Sequence, residues 1–346
     1  MFERIKEEMA RYEGLKHITD ELALYKQELS ELNKYGMVLI GPDAFRQGEV
    51  LNILNYFKER GFELIDLRIK KLNRTQTENL FLPTSTCTKC DNLKWWMIQD
   101  SAEQGYFCSA IFYYKDSKGT NYCLKHLNSY KGKSNPLDNS VGVVRYDYSA
   151  INVCLNLIHI PDTYGDFFKD TAPFYKISEI IAIINGASKK SNGLSNKMFE
   201  LRLLSNCNEK HLFETILYKT KFRLACLLEE NDELCQYYKK MYELLQNESD
   251  RQKRFLMVKD LIYTETGLLD KAEESVIKKI KNEESKCKIY KLADEMNIIR
   301  LLKIFTVPNI YKLYERDIYK ELQVYGLIVD GFEKLVLNTS LIQWKE

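Results

Sequence analysis

Apolar residues recur at three- and four-residue spacing from the start of the chain. Phe2, Ile5, Met9, Tyr12, Leu15, Ile18, Leu22, Tyr25, Leu29 and Leu32 form one stripe, which predicts a single amphipathic helix over 1–34. Gly14 interrupts it at a cost of about 1 kcal/mol relative to alanine. Such a stripe serves either as a dimer seam or as a face packed on its own chain. At Tyr35 the pattern changes: the run Met37-Val38-Leu39-Ile40, closed by Gly41-Pro42-Asp43, reads as a buried strand ending in a turn. An amphipathic helix with Val50, Ile53, Leu54 and Phe57 follows and stops at Gly61. Phe62, Leu64, Ile65, Leu67 and Ile69 make a second strand, Tyr106 to Tyr114 a third, and Val153 to Ile160 a fourth with His159 at its end. Residues 74–104 read as an irregular insertion, and a helix-like stretch covers about 120–130. The order β-α-β-β-α-β is the split βαβ, ferredoxin-like arrangement.

From about Phe174 onward the pattern is helical. Apolar positions recur at helical spacing over 176–185, 197–205, 209–230, 232–248, 251–264, 268–282 and 285–305. The Gly/Ser/Asn-rich stretch 186–196 marks a domain boundary. Leu292-Ala-Asp-Glu-Met-Asn-Ile298 reads like the first helix of a helix-turn-helix, and Tyr325 to Leu337 alternates like a two-stranded wing. The expected fold class is therefore α+β: an N-terminal helix (1–34), a ferredoxin-like βαββαβ domain (35–185), and a mostly α-helical C-terminal domain (186–346) ending in a winged-helix-like hairpin.

Composition narrows the function classes. The 346 residues carry 51 Lys and Arg against 49 Asp and Glu, so no bulk charge points to nucleic acid or to an acidic membrane surface. Local lysines at 278–291 are balanced by carboxylates, and a helical protein-interaction domain is favoured there over nucleic-acid binding. The chain starts without an apolar signal region and has no run of about 18 apolar residues, so it is expected to be cytoplasmic, with no membrane span. Nine cysteines, an odd number, read as reduced thiols. Cys87 and Cys90 have zinc-knuckle spacing, half of a site, and read as loop thiols rather than zinc ligands. Trp95 and Trp96 beside them read as packing residues or as a cap over a base or a partner surface.

Particular stretches carry more than the fold does. Gly41-Pro42-Asp43, Gly48 and Arg60-Gly61-Phe62-Glu63-Leu64 are followed by Gly132-Lys133-Ser134-Asn135-Pro136-Leu137-Asp138-Asn139, then Arg145-Tyr146-Asp147-Tyr148, then Asn156-Leu157-Ile158-His159-Ile160-Pro161-Asp162. In this order, over about residues 36–175, these blocks resemble the nucleoside diphosphate kinase family. That family has Lys-Pro-Asp-Gly, Gly-Glu-Thr-Asn-Pro-Ala-Asp-Ser, Arg-Gly-Asp-Phe and Asn-Ile-Ile-His-Gly-Ser-Asp in the corresponding places. The resemblance implies a nucleotide-binding phosphotransferase working through a phosphohistidine at His159, with Asp170 orienting the ring. It further implies phosphate contacts from Arg145 and Ser134, a sugar contact from Asn156, and usually assembly into a homo-oligomer. A neutral imidazole at a rigid strand end can attack a γ-phosphate and hold the phosphoryl group. Magnesium with a nucleoside triphosphate is the implied cofactor, held largely by the phosphates, so no metal-ligand set is expected from the protein.

The departures are as informative. Gly41 stands where the family has its lysine, Asn128 where it has a second arginine, and Ile160-Pro161 where it has Gly-Ser. Two cations are thus missing from the pattern, and Lys131, Lys133 and Arg46 are the neighbours available to replace them. Two alternatives therefore stand beside the kinase reading. One is a catalytically degenerate nucleotide-binding, regulatory or assembly module; the other is a nucleotide-dependent transferase acting on a different acceptor.

Overall fold

Every residue of the first strand, β1 (Tyr35–Ile40), is buried, so its sheet is covered on both faces. The structure, a computed structural model, describes residues 1–81, 92–115, 122–186, 193–205, 211–228, 232–306 and 318–340. The chain forms two compact units, Met1–Lys210 and His211–Glu346.

In the first unit β1 is joined by β2 (Glu63–Lys70), β3 (Phe107–Tyr113) and β4 (Ile158–His159) in the order β2-β3-β1-β4, with every pairing antiparallel. This is the expected ferredoxin-like arrangement. Alternation along β1 sends Met37 and Leu39 into one apolar cluster and Val38 and Ile40 into another. The helices in chain order are α1 (Phe2–Met9), α2 (Lys16–Leu22), α3 (Pro42–Arg46), α4 (Val50–Glu59), α5 (Arg74–Leu80), α6 (Asn92–Glu103), α7 (Tyr122–Ser129), α8 (Val144–Asp147), α9 (Tyr164–Thr171), α10 (Ile177–Ile184) and α11 (Gly193–Leu204). The Val38 face packs on α4, α7 and α11; the Met37 face packs on the N-terminal segment, α9 and α10.

The single N-terminal helix does not form. The segment is broken into α1, α2 and three 3-10 turns, with Tyr25 at a kink of φ −115° and ψ 21°. Its stripe, except half-buried Tyr25, is nonetheless buried from Phe2 to Leu32 against the same chain, which excludes the dimer-seam reading for those buried side chains. Bending lets short pieces follow the curved sheet face, which one straight helix cannot do. The fourth strand is also shorter than expected. Asn152 Oδ1 accepts from the N–H groups of Cys154 and Leu155 (2.9 Å each), curling this stretch into a loop before β4. The insertion is more regular than expected, because Asn73 and Gln76 form a capping box that starts α5. Cys87 and Cys90, and the side chains of Trp95 and Trp96, lie outside the described residues. The Gly/Ser/Asn-rich boundary falls too early: α11 packs on β2 and α4, with Leu201 fully buried and Lys197 paired to Asp66.

The second unit contains α12 (Phe213–Ala225), α13 (Asp232–Asn247), α14 (Arg251–Asn282), α15 (Lys286–Ile304), α16 (Ile318–Val324) and α17 (Gly331–Ser340). The stretches 251–264 and 268–282 are one helix through Gly267, because packing at Glu265, Leu269 and Ala272 outweighs a single glycine. The wing is absent. Asp330 Oδ1 accepts from the N–H groups of Phe332 and Glu333 (2.6 and 3.0 Å), starting α17, which buries Phe332, Leu335, Val336 and Thr339 at helical spacing. Leu292–Ile298 is the middle of α15, not the start of a helix-turn-helix. Among the described residues no helix is long and apolar enough to cross a membrane.

Candidate active site

The turn Gly41-Pro42-Asp43 leaves β1 and immediately meets the segment that carries His159. Leu157 N–H donates to Asp43 Oδ2 (2.7 Å), and Gly41 N–H donates to the Leu157 carbonyl (2.8 Å). Between these bonds Leu157 holds φ 68°, a left-handed conformation that costs a leucine of order 1–3 kcal/mol. The two bonds over-determine the strained residue and fix the entry to β4, where His159 pairs with Leu39. Burial raises the Asp43 carboxyl to about 6, although Leu157 and further backbone N–H groups favour its charged form.

His159 is 38% exposed, and its Nε2 lies 2.7 Å from Oδ2 of fully buried Asp170. Asp170 comes from α9, whose neighbouring Lys169 sits 2.6 Å from the other carboxylate oxygen and donates to the Leu80 carbonyl (2.5 Å). Lys169 thereby ties α9 to the end of α5, and the next residue, Phe81, faces the His159 ring edge-on at 6.5 Å. The helix α9 is braced by the N-terminal segment. Glu8 accepts from Gly165 N–H (2.8 Å), Arg11 and Tyr12 bond Asp166, and a side chain at Gly165 would meet Glu8 Cβ at 2.7 Å.

A cavity of about 400 Å³ opens over this ring. All five residues expected at the site, His159, Asp170, Arg145, Ser134 and Asn156, are found around it. Four line the cavity, while Asp170 stands behind the histidine. Arg145 is 4% exposed, and its Nη1 and Nη2 donate to the carbonyls of Gly132 and Ile158 (2.9 Å each). Its buried Nε has no hydrogen-bond partner among the described residues. Desolvation lowers its pKa to about 10, against the opposing pull of Asp43 and Asp162. Asn156 Nδ2 bonds the Val153 carbonyl (2.8 Å).

Sequence reasoning did not place Phe81 or Lys169 here. The Lys169-Asp170 pair was visible as a neighbour of the expected carboxylate, but nothing local showed that an ammonium would be buried. Two departures gain physical reasons. A Cβ on Gly41 would lie 2.6 Å from Asp43 Oδ1, so the space where a lysine stem would begin is filled by that carboxylate. Asn128 Nδ2 donates to the carbonyls of Leu124 and Pro161 (3.1 and 2.8 Å), securing the segment after His159. Of the three available cations, Lys133 and Arg46 are exposed and lie off the cavity wall, whereas Lys131 lines it.

Two carboxylates line the cavity, Asp43, committed to Leu157, and Asp162, 79% exposed. Among the described residues no three His, Cys, Asp or Glu side chains converge as a metal site. Among the described residues these side chains would not by themselves hold a resident divalent ion, and such an ion would have to bring ligands of its own.

Comparison with known proteins bears on the family. Residues 34–180 match the family model for nucleoside diphosphate kinase. The nucleoside diphosphate kinase of Fervidobacterium nodosum is 30% identical over 144 residues, covering 42% of this chain and 90% of that one. The Aspergillus fumigatus enzyme is 25% identical over 150 residues, covering 43% and 90%. A crystal structure of the Aquifex aeolicus nucleoside diphosphate kinase superposes with a TM-score of 0.36 at 14% identity, over 42% of this chain and 97% of that one. With identity at 30% across nine-tenths of a relative, the chain belongs to the nucleoside diphosphate kinase family.

Proposed function

We propose that the first unit binds a nucleoside triphosphate in the His159 cavity and transfers its terminal phosphoryl group through His159. The observation that carries this is the 2.7 Å contact between His159 Nε2 and buried Asp170. A carboxylate accepting from Nε2–H fixes the tautomer that leaves the lone pair on Nδ1, the atom that attacks. The Nδ1–P bond forms as the bond from phosphorus to the bridging oxygen breaks, and the nucleoside diphosphate leaves. A second diphosphate then takes the phosphoryl group and regenerates the imidazole. Arg145 and Ser134 meet phosphate oxygens, Asn156 meets the sugar, and Phe81 offers an aromatic face at the cavity wall. Magnesium, bound with the triphosphate, would supply charge neutralisation on the phosphates.

A second reading is favoured by Gly41 and Asn128: a module that binds nucleotide without turning it over. One experiment separates the two. With γ-labelled ATP, the transferase reading expects acid-labile, base-stable label on the protein, lost in His159→Ala and chased by added diphosphate. Tight ATP binding without label supports the silent module, and absence of both sinks each reading.

A further inference from the structure

Four basic side chains line the cavity, His159, Lys131, Arg145 and Lys169, and they differ in how firmly they are held. Lys169 is committed to Asp170 and the Leu80 carbonyl. Arg145 spends both Nη groups on main-chain carbonyls. Lys131 is bound most weakly: its Nζ lies 3.2 Å from the Ile160 carbonyl and 3.5 Å from Asp162 Oδ1, the outer limit of a hydrogen bond. The side chain is nevertheless only 17% exposed, while Asp162 is 79% exposed. Its main chain is pinned, since Lys131 N–H donates to the Asn128 carbonyl and the Lys131 carbonyl accepts from Arg145 N–H. Among the described residues the carboxylate in bonding range of this largely buried ammonium is the distant, solvated Asp162, a weak counter-charge, and an arriving anion would repay its desolvation more fully.

We propose that Lys131 is a further phosphate-binding cation of this site, beside Arg145. It takes a terminal phosphate oxygen of the nucleotide, and Asp162 is the counter-ion it leaves when the phosphate enters. Lys131 thus supplies from the end of α7 the positive charge that cannot be placed at Gly41, where Asp43 fills the space. The inference rests on the nucleotide reading above. It also separates two roles: Arg145, tied to the loop from Gly132 to the β4 segment, meets phosphate from a fixed position, and Lys131 leaves a weak partner for the anion.

Calorimetric titration of the full chain with ATP and with adenosine tests this. Lys131→Gln is expected to weaken ATP about 10- to 100-fold, the loss of one charge-assisted bond, and to leave adenosine unchanged. Lys131→Arg, which keeps charge and donors, is expected to restore most of the affinity and guards against a folding defect in the glutamine variant. Asp162→Asn removes the competing carboxylate, so it is expected to tighten ATP severalfold, an effect opposite in sign to anything loop damage would cause. Equal ATP affinity in Lys131→Gln and the parent overturns the proposal and leaves the nucleotide reading standing. Failure of the parent chain to bind ATP overturns both. Weakening in Asp162→Asn overturns the counter-ion role and makes Lys131 a structural clamp.

Discussion

The two units each bury a lysine against a carboxylate, and the surroundings differ. In the helical unit Lys221 and Glu265 are both 1% exposed, and Glu265 also accepts from Tyr238 (2.8 Å), Tyr218 (3.1 Å) and Thr306 (3.2 Å), all buried. Burial lowers the Lys221 pKa in spite of that partner, so desolvation outweighs the pairing. This network closes on itself, and it reads as a device that fixes how α12, α13, α14 and α15 meet. In the sheet unit Lys169 and Asp170 are equally buried, but the second carboxylate oxygen continues to His159, which is 38% exposed at a cavity. Buried charge alone does not separate structure from chemistry. What separates them is whether the chain of contacts ends on a group that a ligand can reach.

Removing each carboxylate breaks or sharpens this comparison most strongly. Glu265→Ala and Asp170→Ala each strand a buried ammonium and are expected to cost about 3–5 kcal/mol in denaturant unfolding. Only Asp170→Ala should also abolish His159 phosphorylation. If Glu265→Ala removes labelling while its first unit remains folded, the distinction between the two networks is wrong. Asp170→Asn is the finer cut. It keeps the volume but offers the wrong hydrogen-bond group to Nε2, so rapid-quench labelling should slow about 100-fold, about 3 kcal/mol of barrier. Its ATP affinity should hold, because Asp170 stands behind the histidine and does not line the cavity.

Much of the sheet unit was legible because its cues are local. Strand β1, the Gly-Pro-Asp turn and the Ser134, Arg145, Asn156 and His159 blocks are short patterns whose chemistry is written in neighbouring residues. The illegible parts depend on distant partners. Periodicity could show the apolar stripe of residues 2–32 but not that a curved sheet face would break it. The alternation from Tyr325 to Leu337 resembled strands because it covered few residues, and the cap at Asp330 with burial of Phe332 decided for a helix. Lys131 was visible as a basic residue, whereas its place in the cavity depends on contacts 29 and 31 residues away.

Asp43 gives the same contrast a pH signature. Its carboxyl rises from 3.8 unfolded to about 6 in the fold, so the folded state binds the proton more tightly. The stability this contributes is present below pH 4 and lost as pH rises through about 6, a change of up to about 3 kcal/mol. Asp43→Asn keeps an acceptor for Leu157 N–H and has no charge to desolvate. Relative to the parent it should gain stability between pH 4 and 7 in denaturant midpoints. Parallel curves would mean that Asp43 titrates normally and that the Leu157 bond does not require its burial.

The smallest effect concerns Gly41, and it tests why the cation moved. The backbone there has φ −83° and ψ 168°, which any residue adopts, so conformation does not demand glycine. Space does, because an added Cβ would meet Asp43 Oδ1 at 2.6 Å while Asp43 is held by Leu157. Gly41→Ala should therefore cost about 1 kcal/mol, since the methyl can enter only by loosening the Asp43 bond to the His159 segment. In a chain already carrying Asp43→Ala the methyl meets no oxygen, and its cost should fall to within about 0.5 kcal/mol of zero. The coupling in this double-mutant cycle measures how far Asp43 closes the position to larger residues. Equal cost in both backgrounds would show that Asp43 does not close it, and the reason for the cation at Lys131 would have to lie in the segment after His159.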